Sequence, residues 1–227
     1  GNASCGSNST AFFQELWSHL PRHIRLKGVR ADAGFCLPEL LDLWEQLKLP
    51  YVVVASLSQP IQKLIKGDLT WTATDVPGTE VAELDYQAMS WPQPRRLVLL
   101  RHRVSEEEER GGKKLLDVPG YRFQALVTSL PRTTHPPLTV WRCYNGRADC
   151  ENVIKELQAG FALPTLCLEK FWASEAALSL ATLTYNLIVL FERHLGWQQK
   201  VTISSLRFWL FVTAGVLGHP AGKTTLK

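Results

Sequence analysis

The sequence predicts an α/β protein with helices at its C-terminal end, and three features of the chain lead to this class. Helical and strand-like patterns alternate in residues 1–57, which is typical of an α/β layer. Residues 58–140 contain several prolines, Trp71, Trp91 and short strand-like runs in place of helical periodicity, so a mostly β insertion is expected there. Helical periodicity returns in residues 141–227. These three ranges are the predicted regions of the chain.

The first predicted elements are a helix and a strand. Apolar residues in Ala11–Leu20 are spaced for an amphipathic helix, and the preceding Asn-Ser-Thr run offers caps. Residues Ile24–Ala31 alternate between apolar and basic side chains, which predicts a strand that ends at Asp32. Gly34 then breaks the strand.

A second helix and a second strand follow. Glu39–Leu47 has helical periodicity, and Pro38 lies where the first turn of a helix tolerates proline. The β-branched run Tyr51–Ala55 predicts a buried strand of a parallel sheet. Together the four elements make a helix–strand–helix–strand unit.

The middle of the chain contains strand-like segments, whereas the end of the chain contains helical segments. Arg96–Arg101 and Tyr121–Thr128 read as strands, with a solvated loop at Glu106–Lys114 between them. Tyr144–Gln158 is predicted as one helix, and Glu169–Leu195 as a long apolar helix that packs on the sheet.

Composition restricts the function classes. The net charge of +4 is a mild basic bias, compatible with a polyanionic partner. The five cysteines form no Cys-x-x-Cys pair, which excludes zinc-ribbon and thioredoxin motifs and favours free thiols in a reducing cytoplasm. The longest apolar run, Leu206–Leu217, is shorter than the roughly 20 residues that span a bilayer, so no membrane association is predicted.

Asp32 is the first candidate for chemistry. It follows a predicted parallel strand, and ligand-facing residues collect at the carboxyl ends of such strands. The alternative interpretation is an aspartate that caps the next helix. The residues around it, VRADAGF, leave both interpretations open.

The second candidate is a polar stripe on the helix predicted from Tyr144. Five polar or charged residues lie at offsets 0, 3, 7, 11 and 14, within an arc of about 80°; they are Tyr144, Arg147, Glu151, Lys155 and Gln158. Such a face suits a metal ion and phosphates better than an apolar core. The alternative is a solvated helix face with i,i+4 ion pairs.

Two segments, VRADAGF and YNGRADCENVIKEL, resemble the DDE transposases of bacterial insertion sequences that carry a Tyr-Arg-Glu-Lys signature. The resemblance implies a partial ribonuclease H-like core interrupted by a mostly β insertion. It also implies cleavage and transfer of DNA strands with Mg²⁺ or Mn²⁺, double-stranded DNA ends and targets as partners, a homodimer of the full-length protein, and a cytoplasmic, nucleoid-associated location.

Carried over by position, the resemblance gives each residue a role. Asp32 matches the second catalytic carboxylate and Glu151 the third, and both are implied metal ligands. Tyr144 and Arg147 match the residues that contact DNA. The signature lysine corresponds to Gln158, so Lys155, one turn earlier on the same predicted face, is an alternative source of positive charge; both residues are candidate DNA contacts.

The resemblance also implies a first aspartate on an earlier strand. No acidic strand precedes Ala11, and Glu15 lies on the first predicted helix. We therefore expect the first three strands of the core to be missing, the strand before Asp32 to have an exposed edge, and the isolated chain to be inactive. A non-catalytic DNA-binding module and a decayed reading frame are the alternatives.

The predicted insertion contains further candidates for DNA contact. Four of its aromatic residues are candidates for base stacking or for packing: Trp71, Trp91, Tyr121 and Phe123. Four of its arginines are candidates for contacts with the DNA backbone or for ordinary charges on an edge strand: Arg95, Arg96, Arg101 and Arg103.

Overall fold

The computed structural model describes residues 6–104, 118–146, 148–165, 168–197, 201–212, 217–218 and 225–226. The chain divides into two compact units, Gly1–Arg147 and Ala148–Lys227. The first contains a mixed β-sheet with helices, and the second contains mainly helices. The predicted α/β class with C-terminal helices is confirmed.

The first unit follows the predicted alternation of helices and strands. Its elements are α1 (Ser9–His19), β1 (Val29–Ala31), a 3-10 turn (Ala33–Phe35), α2 (Pro38–Gln46), β2 (Tyr51–Ala55), α3 (Gln59–Lys66), β3 (Thr72–Ala73), β4 (Thr79–Tyr86), β5 (Arg95–Arg103), β6 (Tyr121–Thr128) and α4 (Pro137–Asn145). The predicted loop Glu106–Lys114 lies outside the described residues.

The sheet has six strands in the order β1-β2-β6-β5-β4-β3. Strands β1 and β2 are parallel, with Val29 opposite Tyr51 and Ala31 opposite Val53. The other neighbouring strands are antiparallel. The strands expected in a separate insertion therefore continue the sheet beyond β2. Strand β1 is an end strand of the sheet, so among the described residues its outer edge is unpaired, as predicted.

Alternating side chains of the central strands fill both faces of the sheet. On β5, Leu97 and Leu99 join the core formed with α2, whereas Val98 and Leu100 join a second core with Val140 of α4. Each of these leucines and valines is at least 96% buried. Burying one such side chain is worth about 1.5–3 kcal/mol. The two cores fix α2 and α4 on opposite faces of one sheet.

Strand β1 is shorter than the predicted strand Ile24–Ala31. The Ile24 amide donates to the Pro21 carbonyl at 2.8 Å and closes a turn, and pairing begins only where the Val29 amide reaches the Pro50 carbonyl, also at 2.8 Å. The neighbouring strand cannot extend the ladder backwards, because Pro50 has no N–H to donate. The alternating pattern of residues 24–28 therefore belongs to an exposed loop.

The predicted single helix Tyr144–Gln158 is wrong. Tyr144 lies near the end of α4, and a second helix, α5, covers Ala148–Gly160. Gly146 forms a turn between them, while Arg147 lies outside the described residues. The boundary between the two compact units also falls here.

The second unit contains α5, a 3-10 turn (Leu163–Thr165), α6 (Phe171–His194), α7 (Ile203–Phe211) and a short hairpin of β7 (Leu217–Gly218) and β8 (Thr225–Leu226). Among the described residues, α6 alone has the length and apolar composition of a membrane-crossing helix, with a mean hydropathy of 1.4 in its most apolar stretch. This finding rests on length and composition alone; 11% of that stretch is buried, whereas the core helix of a soluble protein, which passes the same test, is mostly buried. The packing of α6 on the sheet stays a prediction.

Candidate functional site

Asp32 directly follows β1 and caps the short 3-10 turn. Its Oδ1 accepts a hydrogen bond from the Gly34 amide at 3.1 Å, and its side chain is half-buried. The capping interpretation is therefore confirmed. A carboxylate has about four acceptor positions, so capping and ligand binding are compatible roles for this residue.

An arginine on β1 ties the Asp32 segment to the end of α4. Arg30 Nη1 donates to the carbonyl oxygen of Cys143 at 3.0 Å, across 113 residues of sequence. Carbonyl groups in the last turn of a helix lack partners within the helix, and the helix dipole favours a cation there. Arg30 meets both needs. Strand β1, which leads directly into Asp32, and the end of α4 are thus joined by a direct contact.

Gly146 makes room for this contact. A Cβ atom on residue 146 would lie 2.2 Å from Arg30 Nη1, so any side chain there would push the guanidinium away from Cys143. Gly146 has ordinary helical backbone angles. A side chain at position 146 would therefore act through space and not through backbone conformation, by displacing the mobile end of the Arg30 side chain.

Tyr144 follows Cys143 on α4. It is half-buried and packs against the second core, beside Val140 and Leu126. Arg30 thus holds the turn of α4 that carries Tyr144 beside β1. The structure brings the segments of Asp32 and Tyr144 together within the first unit; Arg147 lies outside the described residues.

The remaining signature residues lie on α5, in the second unit. Glu151, Lys155 and Gln158 are exposed. Their offsets of 0, 4 and 7 on one helix keep them within an arc of about 60°. This part of the predicted stripe is retained, but Tyr144 belongs to the preceding helix and not to the same face.

Asp32 and Glu151 are the carboxylates that could hold a divalent cation. Carboxylate oxygens such as those of Asp32 and Glu151 are the donors that Mg²⁺ prefers. Within the described residues, however, no group of three or more His, Cys, Asp or Glu side chains is placed to hold a metal ion. The donor chemistry fits, whereas the described part of the chain does not assemble a complete set of ligands.

Two of the predicted DNA-contacting arginines are buried in the fold. Arg95 pairs with Asp42 and, at 2.7 Å, with Glu45, while Arg96 pairs with Glu83 at 2.6 Å. Their side chains are 2% and 6% exposed. The hypothesis that Arg95 and Arg96 contact DNA is therefore wrong, because both side chains are buried and paired with carboxylates of the same chain.

Tryptophan 91 is likewise structural. It is 8% exposed and packs edge-on against Tyr86 at 5.6 Å between ring centres. The Arg95 guanidinium lies 5.2 Å from the centre of its ring. For Trp91 the packing interpretation is confirmed.

The other three aromatic residues form a half-buried cluster on the sheet. Trp71 lies 6.1 Å from Phe123, and Tyr121 lies 6.2 Å from Phe123, between ring centres. The Arg101 guanidinium sits over the rings of Trp71 and Tyr121 and pairs with Glu80 at 2.5 Å. These contacts fix the cluster through packing and cation–π attraction.

Sequence reasoning missed Arg30 and Gly146. Arg30 looked like one of several basic residues on a predicted strand, and nothing local links it to a carbonyl 113 residues away. A glycine inside a predicted helix was the one available signal for Gly146, because isolated glycines in helices often have a packing reason.

The sequence profile of a known family, described as "Transposase DDE domain group 1", matches residues 1–227. A comparison with curated proteins gives no match. The match covers both compact units and therefore includes the Asp32 segment as well as α5.

Proposed function

The chain belongs to the DDE transposase family, and we propose that it acts in DNA transposition by metal-dependent cleavage and transfer of DNA strands. Family membership supports a transposition-related function with DNA as the partner and a divalent cation in the chemistry. We also propose which residues of this chain take part in the cleavage and transfer of DNA strands.

One observation supports the residue assignment most. The Arg30–Cys143 hydrogen bond joins the segment of Asp32 to the helical turn of Tyr144, although the two lie more than 100 residues apart in sequence. Residues of one shared site must lie on segments that meet in the fold, whereas unrelated surface residues need not lie on such segments. In the proposal Asp32 and Glu151 are catalytic carboxylates, and Tyr144, Arg147, Lys155 and Gln158 contact the DNA.

The proposed cation is Mg²⁺ or Mn²⁺, held by Asp32 and Glu151 together with an acidic ligand from outside the described residues. When bound, two such ions would stabilise the attacking and leaving oxygens of an in-line displacement at phosphorus. The protein's own contribution is to hold the DNA backbone in register with these carboxylates, through hydrogen bonds and charge.

We also propose roles for the three regions of the chain, an oligomeric state and a location. The partial ribonuclease H-like core is residues 1–57, the β-rich region is residues 58–140, and the region of the glutamate helix is residues 141–227. The full-length protein is a homodimer that works on double-stranded DNA in the cytoplasm, at the nucleoid.

A non-catalytic DNA-binding module is the second candidate. It is favoured by the lack of a group of three metal ligands among the described residues. For the 227-residue chain by itself we expect this behaviour, namely DNA binding without strand cleavage.

A nicking assay on supercoiled plasmid with Mg²⁺ or Mn²⁺ tests these proposals, with Asp32→Asn and Glu151→Gln as variants. Asp68→Asn and Glu175→Gln, at exposed positions, are the matched controls. Nicking that both test variants abolish and both controls retain would support the carboxylate roles and refute inactivity of the chain alone. Nicking that survives either test variant would refute the assignment.

A further inference from the structure

The segment between α1 and β1 is cationic throughout. Residues 16–31 contain four arginines or lysines and two histidines, and no aspartate or glutamate. The positive residues of the loop itself, Arg22, His23, Arg25 and Lys27, are exposed. A positive surface results on one side of the first unit.

This surface has an apolar groove. A cavity of about 420 Å³ opens between the end of α1 and the loop, and both Arg22 and Arg25 line it. Trp17 and Ile24 line it as well, with 37% and 46% of their surface exposed. Trp17 stacks on Phe13 at 6.4 Å between ring centres, which anchors the indole at the groove. The groove thus combines two guanidinium groups with a fixed aromatic ring.

Salt bridges between described residues leave these charges aside. The arginines of the sheet, such as Arg95, Arg96 and Arg101, are each held by a carboxylate. Among the ion pairs between described residues, none involves Arg22 or Arg25. An exposed tryptophan and an exposed isoleucine lie beside these cations in the same groove. The combination indicates a ligand with both negative charge and apolar surface.

We propose that this groove, formed by Trp17, Arg22, Ile24 and Arg25, binds the backbone of double-stranded DNA, apart from the signature residues. The guanidinium groups contact phosphates, which they match in geometry and charge, and the apolar side chains contact deoxyribose. The choice of DNA as the polyanion rests on the proposed function. An anionic membrane is the weaker candidate, because the loop is a turn and not an amphipathic helix.

The salt dependence of binding gives the size of the effect. Each phosphate contact contributes about −0.9 to the slope of log K against log salt concentration, so losing two contacts reduces the slope by about 1.8. At about 0.1 M salt this corresponds to a loss of affinity on the order of tenfold to a hundredfold.

The test measures fluorescence anisotropy of a short labelled duplex of mixed sequence over a range of KCl concentrations. Arg22→Gln/Arg25→Gln is compared with Lys63→Gln/Lys66→Gln, which removes the same charge from exposed positions on α3. The expected result is a weaker affinity and a smaller slope for the arginine variant alone. Circular dichroism confirms that both variants are folded.

Three outcomes would overturn the proposal: equal losses in the two variants, no loss in the arginine variant, or binding to phosphatidylserine vesicles without binding to DNA. The two proposals have separate readouts: Mn²⁺ binding by Asp32→Asn tests the catalytic assignment, and DNA binding by the arginine variant tests the groove. If DNA binding depends on Arg22 and Arg25 but Mn²⁺ binding does not depend on Asp32, then the catalytic assignment fails and the groove stands.

Discussion

The buried ion-pair cluster around Arg95 makes an asymmetric prediction about stability. Arg95 on β5 is 2% exposed at its side chain, whereas its partners Asp42 and Glu45 on α2 are 34% and 22% exposed. The three charges therefore differ in how well water can replace a lost partner. Removing the carboxylates should cost more than removing the arginine.

The magnitudes follow from this difference in exposure. Asp42→Asn/Glu45→Gln leaves a buried guanidinium without a counter-charge, and breaking a buried pair in this way costs about 3–5 kcal/mol. Arg95→Met leaves two carboxylates that water can reach and places an apolar side chain beside Trp91. We expect a cost of about 1–3 kcal/mol, the usual range for a lost partner of a buried polar group.

Urea unfolding followed by circular dichroism measures both variants. The control is Glu80→Gln, which breaks the pair with Arg101, where both side chains are more than a quarter exposed; a cost of at most about 1 kcal/mol is expected there. The reasoning is refuted if Arg95→Met is the more destabilising change, or if breaking the Arg95 cluster costs no more than breaking the control pair.

Three further predictions concern titration, reactivity and packing. Burial raises the pKa of Glu45, but hydrogen bonds from Arg95, Tyr51 and Gln93 lower it by more, so the pKa lies below its usual value. The resulting stability is present above the unfolded-state pKa of about 4.3 and is lost as the pH falls through the lower folded-state value. The urea midpoint should therefore fall less steeply with decreasing pH in Glu45→Gln than in the unchanged protein. An equally steep fall in both proteins would contradict this. Burial raises the pKa of the Cys36 thiol to about 11, against a smaller lowering by Arg95, so iodoacetamide at neutral pH should label exposed Cys150 well before Cys36, as mass spectrometry of the native protein can show. Gly146→Ala should destabilise by about 1 kcal/mol through loss of the Arg30–Cys143 hydrogen bond; combined with Arg30→Ala it should cost little more than either change alone, and full additivity would argue against a shared contact.

The β-branched segments were the easiest part of the fold to predict. Strands Tyr51–Ala55 and Tyr121–Thr128 have the bounds that the sequence indicates. The apolar run of the first strand is almost wholly buried, and the second strand is buried over its last four residues. The long helix Phe171–His194 and the helix Pro38–Gln46 differ from prediction by no more than two residues at either end. Local pattern determines these elements.

The failures arise where distant residues decide the outcome. Arg30 occupies the space beside Gly146, where α4 ends, and the pairing of β1 begins at Pro50 of the neighbouring strand. The sequence near Arg95 does not indicate a buried ion pair, because its partners on α2 are about 50 residues earlier in the chain. Local sequence carries no information about such contacts.

The candidate site was predictable in part. Asp32 lies at the end of a parallel strand, as expected, and Glu151, Lys155 and Gln158 share a helix face. The single stripe that included Tyr144 was wrong, since it lies on α4. The roles of all these residues stay predictions.

Binding of Mn²⁺ followed by nuclear magnetic resonance tests the central claim most directly. Bound Mn²⁺ broadens the amide signals of nearby residues, so the account predicts selective broadening around both Asp32 and Glu151. Replacing each carboxylate by its amide, in Asp32→Asn or Glu151→Gln, should reduce the broadening around that residue, while Asp68→Asn leaves it unchanged. Broadening at neither position, or broadening that persists in both variants, would contradict the assignment of these two carboxylates to a metal site.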